Sequence, residues 1–271
     1  MACNLSRSRL GQALLSVGLL WTTGCLSFLH PIGAPPRDLV KPCDQLPKPC
    51  RDHVYIFFVN GLDPVDYGNL VGLRDYVQKM GFHKTYYGQL YHVPYFESEM
   101  CKIHKSDPDA RFVLVGFSLG ANLVHTLARA VADDGVQIDL MVYLSGNHPV
   151  AMMPRDKPDN VCQVLNILAS GCMKKFGERD YADNLRLEHT CHFGSPTHPQ
   201  TLEVLCTALT HIAAQAPGVL PPDEFAPTPL LEEAPRPRPV TPPRTAQRDD
   251  WDFLKPVGVL RPPDAGGADS R

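Results

Sequence analysis

The sequence predicts an α/β domain: a mainly parallel sheet of about six strands with helices on both faces. Three observations predict it. Short, continuously apolar runs such as Val54–Val59 (VYIFFV) and Arg111–Phe117 (RFVLVGF) read as strands buried on both faces. Segments with helical apolar spacing alternate with these runs, which is the pattern of crossover helices between parallel strands. Proline-rich stretches without periodicity flank this region on either side.

The elements follow in order. Val54–Val59 is the first strand, and the turn Asn60-Gly61-Leu62-Asp63-Pro64 ends it. Leu70–Met80 has helical spacing and stops at Gly81. Lys84–His92 is aromatic-rich and reads as the second strand, and Tyr95–Lys105 as a helix. Arg111–Phe117 is the next strand, and Leu119–Ala132 a helix with alanines at packing positions. Ile138–Leu144 and Val161–Ala169 are strands, and Asn184–Cys191 a last short one. Pro199–Ala214 is a helix with Leu202, Leu205, Leu209 and Ile212 on one face.

The flanks read differently. Residues 1–25 have the form of an export signal: Arg7 and Arg9, then a mostly apolar run Leu10–Trp21 too short for a comfortable membrane span. Thr22-Thr23-Gly24-Cys25 resembles the lipobox of bacterial lipoproteins, in which cleavage before the cysteine leaves that thiol to carry lipid. On this reading Cys25 is the lipidation site and the protein is exported and attached to the cell-envelope membrane. Plain secretion and a buried N-terminal helix are the other two readings. Residues 26–52 are Pro-rich and read as a linker, residues 53–216 as the folded domain, and residues 217–271 as a disordered tail with too little apolar surface to offset the entropy of ordering.

The 271-residue chain is 44% hydrophobic and 20% charged, enough apolar material for a sizeable core, and its net charge is −3. It lacks the basic excess of a nucleic-acid binder. Of nine cysteines, Cys3 leaves with the signal and Cys25 goes to lipid on the lipoprotein reading. Cys43 and Cys50 bracket a Pro-rich loop and read as a local disulfide pair. No Cys/His spacing fits a metal site.

The informative motif is Gly116-Phe117-Ser118-Leu119-Gly120. It directly follows a buried strand and directly opens a helix, the context of a nucleophile elbow. Gly116, Gly120 and Ala121 supply the small side chains that let strand and helix approach. The segment FVLVGFSLGANLV resembles the elbow of α/β-hydrolase lipases, esterases and thioesterases. The resemblance implies a compact α/β-hydrolase fold without a large cap domain. It also implies Ser118 as nucleophile and the chain order Ser, acid, His.

A serine hydroxyl needs a general base. His189, His192 and His198 follow the last expected strand, and His192-Phe193-Gly194-Ser195-Pro196-Thr197-His198 resembles the family's terminal histidine loop. His192 is the expected base, because it stands at that strand's end. The family places the acid after the strand Val161–Ala169, but the first carboxylates there are Glu178, Asp180 and Asp183. Asp180 is the chosen acid, with Asp183, Asp156 and Asp159 as alternatives. The oxyanion hole takes the backbone N–H of Leu119 and, by resemblance, that of Leu62. Tyr86, Tyr87, Tyr91 and Tyr95 form an aromatic group that either lines an acyl pocket or packs the core and edge.

The expected activity is hydrolysis of a small-molecule carboxylic ester or thioester through an acyl-enzyme on Ser118, with no metal or organic cofactor. Acyl transfer by the same residues and a non-catalytic envelope binding module are the alternatives.

Overall fold

The computed structural model describes residues 26–146, 156–170 and 177–215. The export signal with Cys25 and the tail lie outside the described residues. Six strands form one sheet: β1 (Val54–Val59), β2 (Thr85–Gly88), β3 (Arg111–Phe117), β4 (Ile138–Leu144), β5 (Val161–Ala169) and β6 (Asp183–Leu187). Their spatial order is β2-β1-β3-β4-β5-β6, and every neighbouring pair is parallel.

The continuous apolar runs follow from burial on both faces. All six residues of β1 are buried. Ile56 and Phe58 face one way, into a core shared with α1 (Arg37–Gln45), α2 (Lys48–Asp52), α3 (Leu70–Lys79) and α6 (Pro199–Ala214). Phe57 and Val59 face the other way, into a core shared with α4 (Val93–Ser106) and α5 (Gly120–Ala130). Each such side chain contributes about 1.5–3 kcal/mol by leaving water. All six strands end on the same edge, where polar loop residues gather.

The structure corrects the reading of residues 26–52 as a linker. Leu39 and Val40 pack against the core, and Cys43, Leu46 and Cys50 are buried within it. Three of the prolines that hid this segment sit at tolerated places, Pro36 and Pro47 before helix starts and Pro49 in the first turn of α2, whereas Pro42 lies inside α1. Cys43 and Cys50 are not a disulfide pair; both are free and buried. The Cys43 thiol donates to the Met80 carbonyl at 3.0 Å, and burial pushes both thiols up from their ordinary pKa. Each cysteine lies on its own short helix and points into the core, so they do not close the loop between them.

Two strand boundaries also move. The expected strand Lys84–His92 stops at Gly88, and a single 3₁₀ turn, Leu90–His92, leads into α4. The His92 ring accepts the Gln89 backbone N–H at 3.0 Å, which turns the chain before Pro94 enters the helix. The last strand is Asp183–Leu187 rather than Asn184–Cys191, because His189 adopts a left-handed φ of 51° and turns the chain away.

Candidate active site

Ser118 stands between the end of β3 and the start of α5 with φ at 57°. A left-handed backbone at a non-glycine residue costs about 1–3 kcal/mol and persists only where its surroundings hold it. Here the Ser118 N–H donates to the Leu144 carbonyl on β4 at 3.0 Å. The helix it opens also packs hard against the strands. A Cβ on Gly116 would collide with the Gly120 carbonyl, and one on Gly120 with the Val59 carbonyl. Both elbow glycines are therefore required by close approach, as the sequence predicts.

The loop after β1 lies against this turn. A Cβ on Gly61 would sit 2.7 Å from Leu119 N, 2.8 Å from the Phe117 carbonyl and 2.9 Å from Ser118 Cβ. Asn60, fully buried, holds the loop in place. Its amide donates to the Asp63 carbonyl and to the Tyr87 hydroxyl, each at 3.0 Å, and its oxygen accepts the Gly61 N–H at 2.8 Å. The Asp63 carboxylate, also buried, accepts the Tyr67 and Gly68 N–H groups at 2.8 Å. Among the described residues, neither the Leu62 nor the Leu119 N–H is taken up in a hydrogen bond. These two amides flank Gly61 and Ser118 in sequence, so the close contact just described brings their backbones together.

His192 is buried in a 3₁₀ turn, His192–Gly194, beyond the end of β6. Its ring packs on Phe117, the residue before Ser118, with centroids 5.0 Å apart, and stands edge-on to Phe193 at 5.0 Å. The buried Ser195 hydroxyl donates to the His192 carbonyl at 2.9 Å and fixes the turn. The structure thus brings His192 to the elbow, though from a turn five residues past the strand rather than from the strand's end. His198 caps α6, accepting the Gln200 N–H at 3.3 Å, and His189 is an exposed turn residue.

The carboxylates are placed differently. Asp180 is exposed and precedes the start of β6, whereas His192 follows its end. Five strand residues rise about 13 Å, so the topology keeps Asp180 and His192 apart. Asp183 begins the same strand and accepts from Gln163 at 3.0 Å. Asp159 is exposed, and Asp156 stands beside His125 and Arg129 on the α5 side.

Three residues at the edge escape the sequence reading: Asn60, Asp63 and Ser145. The first two are visible only as parts of a turn motif until burial shows what they bind. Ser145 follows β4 as Ser118 follows β3; it is fully buried with φ at 46°, and its hydroxyl has no partner among the described residues. Of the four tyrosines, Tyr86 stacks on Phe57 at 4.4 Å and Tyr87 bonds Asn60, while Tyr91 and Tyr95 are exposed.

The arrangement assembles, at one sheet edge, a strained serine, a buried imidazole on the neighbouring ring and two backbone donors beside the serine. The chain matches no protein-family model, and no curated protein matches it.

Proposed function

We propose that the protein is a serine hydrolase of the α/β-hydrolase type that cleaves a carboxylic ester or thioester. The observation that carries this reading is Ser118: a serine held at φ 57° on the turn from a central parallel strand into a helix, with the Gly61 loop against it. Its cost is the kind of local strain that clusters at functional sites.

The chemistry follows from the groups present. His192 takes the Ser118 proton as the oxygen attacks the substrate carbonyl carbon. The Leu62 and Leu119 amides donate to the oxygen as it becomes negative, a contribution worth about 2.7–4 kcal/mol per donor in such sites. The carbonyl re-forms and the alcohol or thiol leaves with the proton from His192. Water, deprotonated by the same ring, releases the acid and restores Ser118. Acyl transfer replaces that water with an alcohol or amine and needs no other residue.

The test is turnover of p-nitrophenyl butyrate. Ser118→Ala and His192→Ala should each reduce it to the level of protein-free buffer plus a small residue, with unchanged thermal melts. Wild-type turnover in Ser118→Ala would end the proposal. A second reading, a binding module that retains the fold without catalysis, is favoured by one observation: the separation of Asp180 from His192. It predicts no turnover in the wild-type protein.

A further inference from the structure

Residues 63–69, between β1 and α3, form a platform whose shape is set by its own side chains. Asp66 and Asn69 both hold a left-handed backbone, at φ 51° and 55°. Such strain persists only where surrounding groups fix it. The Asp63 carboxylate accepts the Tyr67 and Gly68 N–H groups at 2.8 Å. The Asp66 carboxylate accepts the Leu70 N–H at 2.8 Å and the Val71 N–H at 3.2 Å. The Asn69 side chain accepts the Gly72 N–H at 2.9 Å and donates to the His30 carbonyl at 2.7 Å. The platform also lies on Phe117: a Cβ on Gly68 would come within 2.8 Å of that ring.

From this platform Tyr67 reaches the turn that carries His192. Its N–H ties it to Asp63, whose carbonyl accepts from Asn60 in the loop that holds Leu62. Its ring meets Phe193 edge-on, with centroids 5.0 Å apart and planes at 83°. Phe193 in turn stands edge-on to His192, at 5.0 Å and 87°. The His30 ring meets Tyr67 in the same way at 5.0 Å, so the segment before α1 braces it. The Tyr67 hydroxyl makes no hydrogen bond among the described residues, so the ring itself carries these contacts. Edge-on pairs are directional, because the positive edge of one ring seeks the negative face of the next. A series of them running Tyr67, Phe193, His192 therefore passes an orientation from the platform to the imidazole.

We infer that Tyr67 is a positioning residue, which sets the orientation of the His192 ring and locks the base to the loop that supplies the Leu62 N–H. Phe117 supports the imidazole at 5.0 Å and 31°, and Phe193, held by Tyr67, supports it edge-on. The effect of Tyr67 passes through Phe193. Its consequence for the rate rests on the hydrolase reading above; its consequence for the His192 ring does not.

The test uses the full chain, isotope-labelled at histidine. The His192 ring C–H signal, identified by its loss in His192→Ala, is followed in proton–carbon correlation spectra. Ring currents from Phe117 and Phe193 should displace it in the wild type. Tyr67→Ala should move it back toward the random-coil position. The His53 and His125 signals, held by bonds to the Asp107 carboxylate and the Asp156 carbonyl, should stay in place. Tyr67→Phe keeps the ring and should superimpose on the wild type. If alanine lowers the melt, Tyr67→Leu, which retains bulk without the ring, carries the same expectation as alanine. With p-nitrophenyl butyrate, Tyr67→Ala should lower kcat about tenfold at unchanged KM, the effect of losing one edge-on pair, and Tyr67→Phe should restore it. An unmoved His192 signal in Tyr67→Ala would overturn the inference. So would a Tyr67→Phe spectrum that shifts as alanine's does, or an unchanged kcat in a variant whose signal has moved. A moved signal in a protein that turns over no ester would uphold the role of Tyr67 and remove only the hydrolase reading.

Discussion

Replacing Gly61 with alanine probes the contact on which the proposed chemistry depends. Gly61 does not occupy the left-handed region, so the added methyl brings no backbone strain of its own; its effect is purely one of space. The methyl carbon would lie 2.7 Å from Leu119 N and 2.8 Å from the Phe117 carbonyl, and ordinary contact starts at 3.4 Å. Both neighbours are backbone atoms of the elbow, tied to β4 through the Ser118–Leu144 hydrogen bond. The loop must therefore retreat by roughly 0.7 Å, carrying the Leu62 N–H with it. A displacement near 1 Å costs about a hundredfold in rate, and complete loss of one oxyanion donor about a hundred- to a thousandfold. Overpacking should also cost about 1–3 kcal/mol of stability. Gly61→Ala is thus expected to lower kcat/KM for p-nitrophenyl butyrate by about a hundredfold, chiefly in kcat, with a modest fall in Tm. Wild-type kcat/KM in this variant would refute the claim that Leu62 supplies a donor at the closest approach of loop and elbow.

Other perturbations separate the parts of the site. Asn60→Ala removes the buried amide that bonds the Asp63 carbonyl and the Tyr87 hydroxyl, so it should cost about 1–3 kcal/mol in a denaturant melt and lower the rate as the Gly61 loop loosens. Asp180→Ala should leave kcat/KM within about twofold of wild type; a fall of a hundredfold or more would restore Asp180 as the acid and contradict the placement of β6. At the far edge, burial alone would raise the Asp107 carboxyl, but hydrogen bonds from Tyr55 at 2.8 Å and His53 at 2.9 Å prevail and hold it below 3.8. Its stabilisation is present above pH 3.8 and fades as pH falls through the depressed value, so Asp107→Asn should destabilise by about 1–2 kcal/mol at neutrality and melt alongside the wild type in strong acid. A gap in Tm that persists in acid would show that the cluster acts by packing rather than by charge.

The parts of this structure that were legible in the sequence are those where local and tertiary demands agree. Ser118 and its glycines could be read because a strand, a sharp turn and a helix all constrain the same five residues. The four inner strands could be read because burial on both faces leaves apolar runs, whereas the edge strands β2 and β6 are half-exposed or exposed, and it is their bounds that moved. Residues 26–52 could not, since their few apolar anchors are diluted by prolines; yet Leu39, Cys43, Leu46 and Cys50 recur every three or four residues, which is the trace of a helical face. The place of His192 was legible only to within a few residues, because the left-handed turn at His189 is chosen by what the loop packs against. Asn60 looked like a turn residue, and only its complete burial reveals the three hydrogen bonds that shape the loop. Asp180 was chosen by chain order, and chain order does not record at which end of a strand a residue sits.

The central claim is that Ser118 is an activated nucleophile, and a fluorophosphonate probe tests it most directly. Folded protein treated with the probe and digested should carry a single phosphonyl adduct on the peptide containing Ser118. That adduct should be absent after heat denaturation and in His192→Ala. An unmodified Ser118 in folded wild-type protein, or an adduct on another residue with Ser118 intact, would contradict the account.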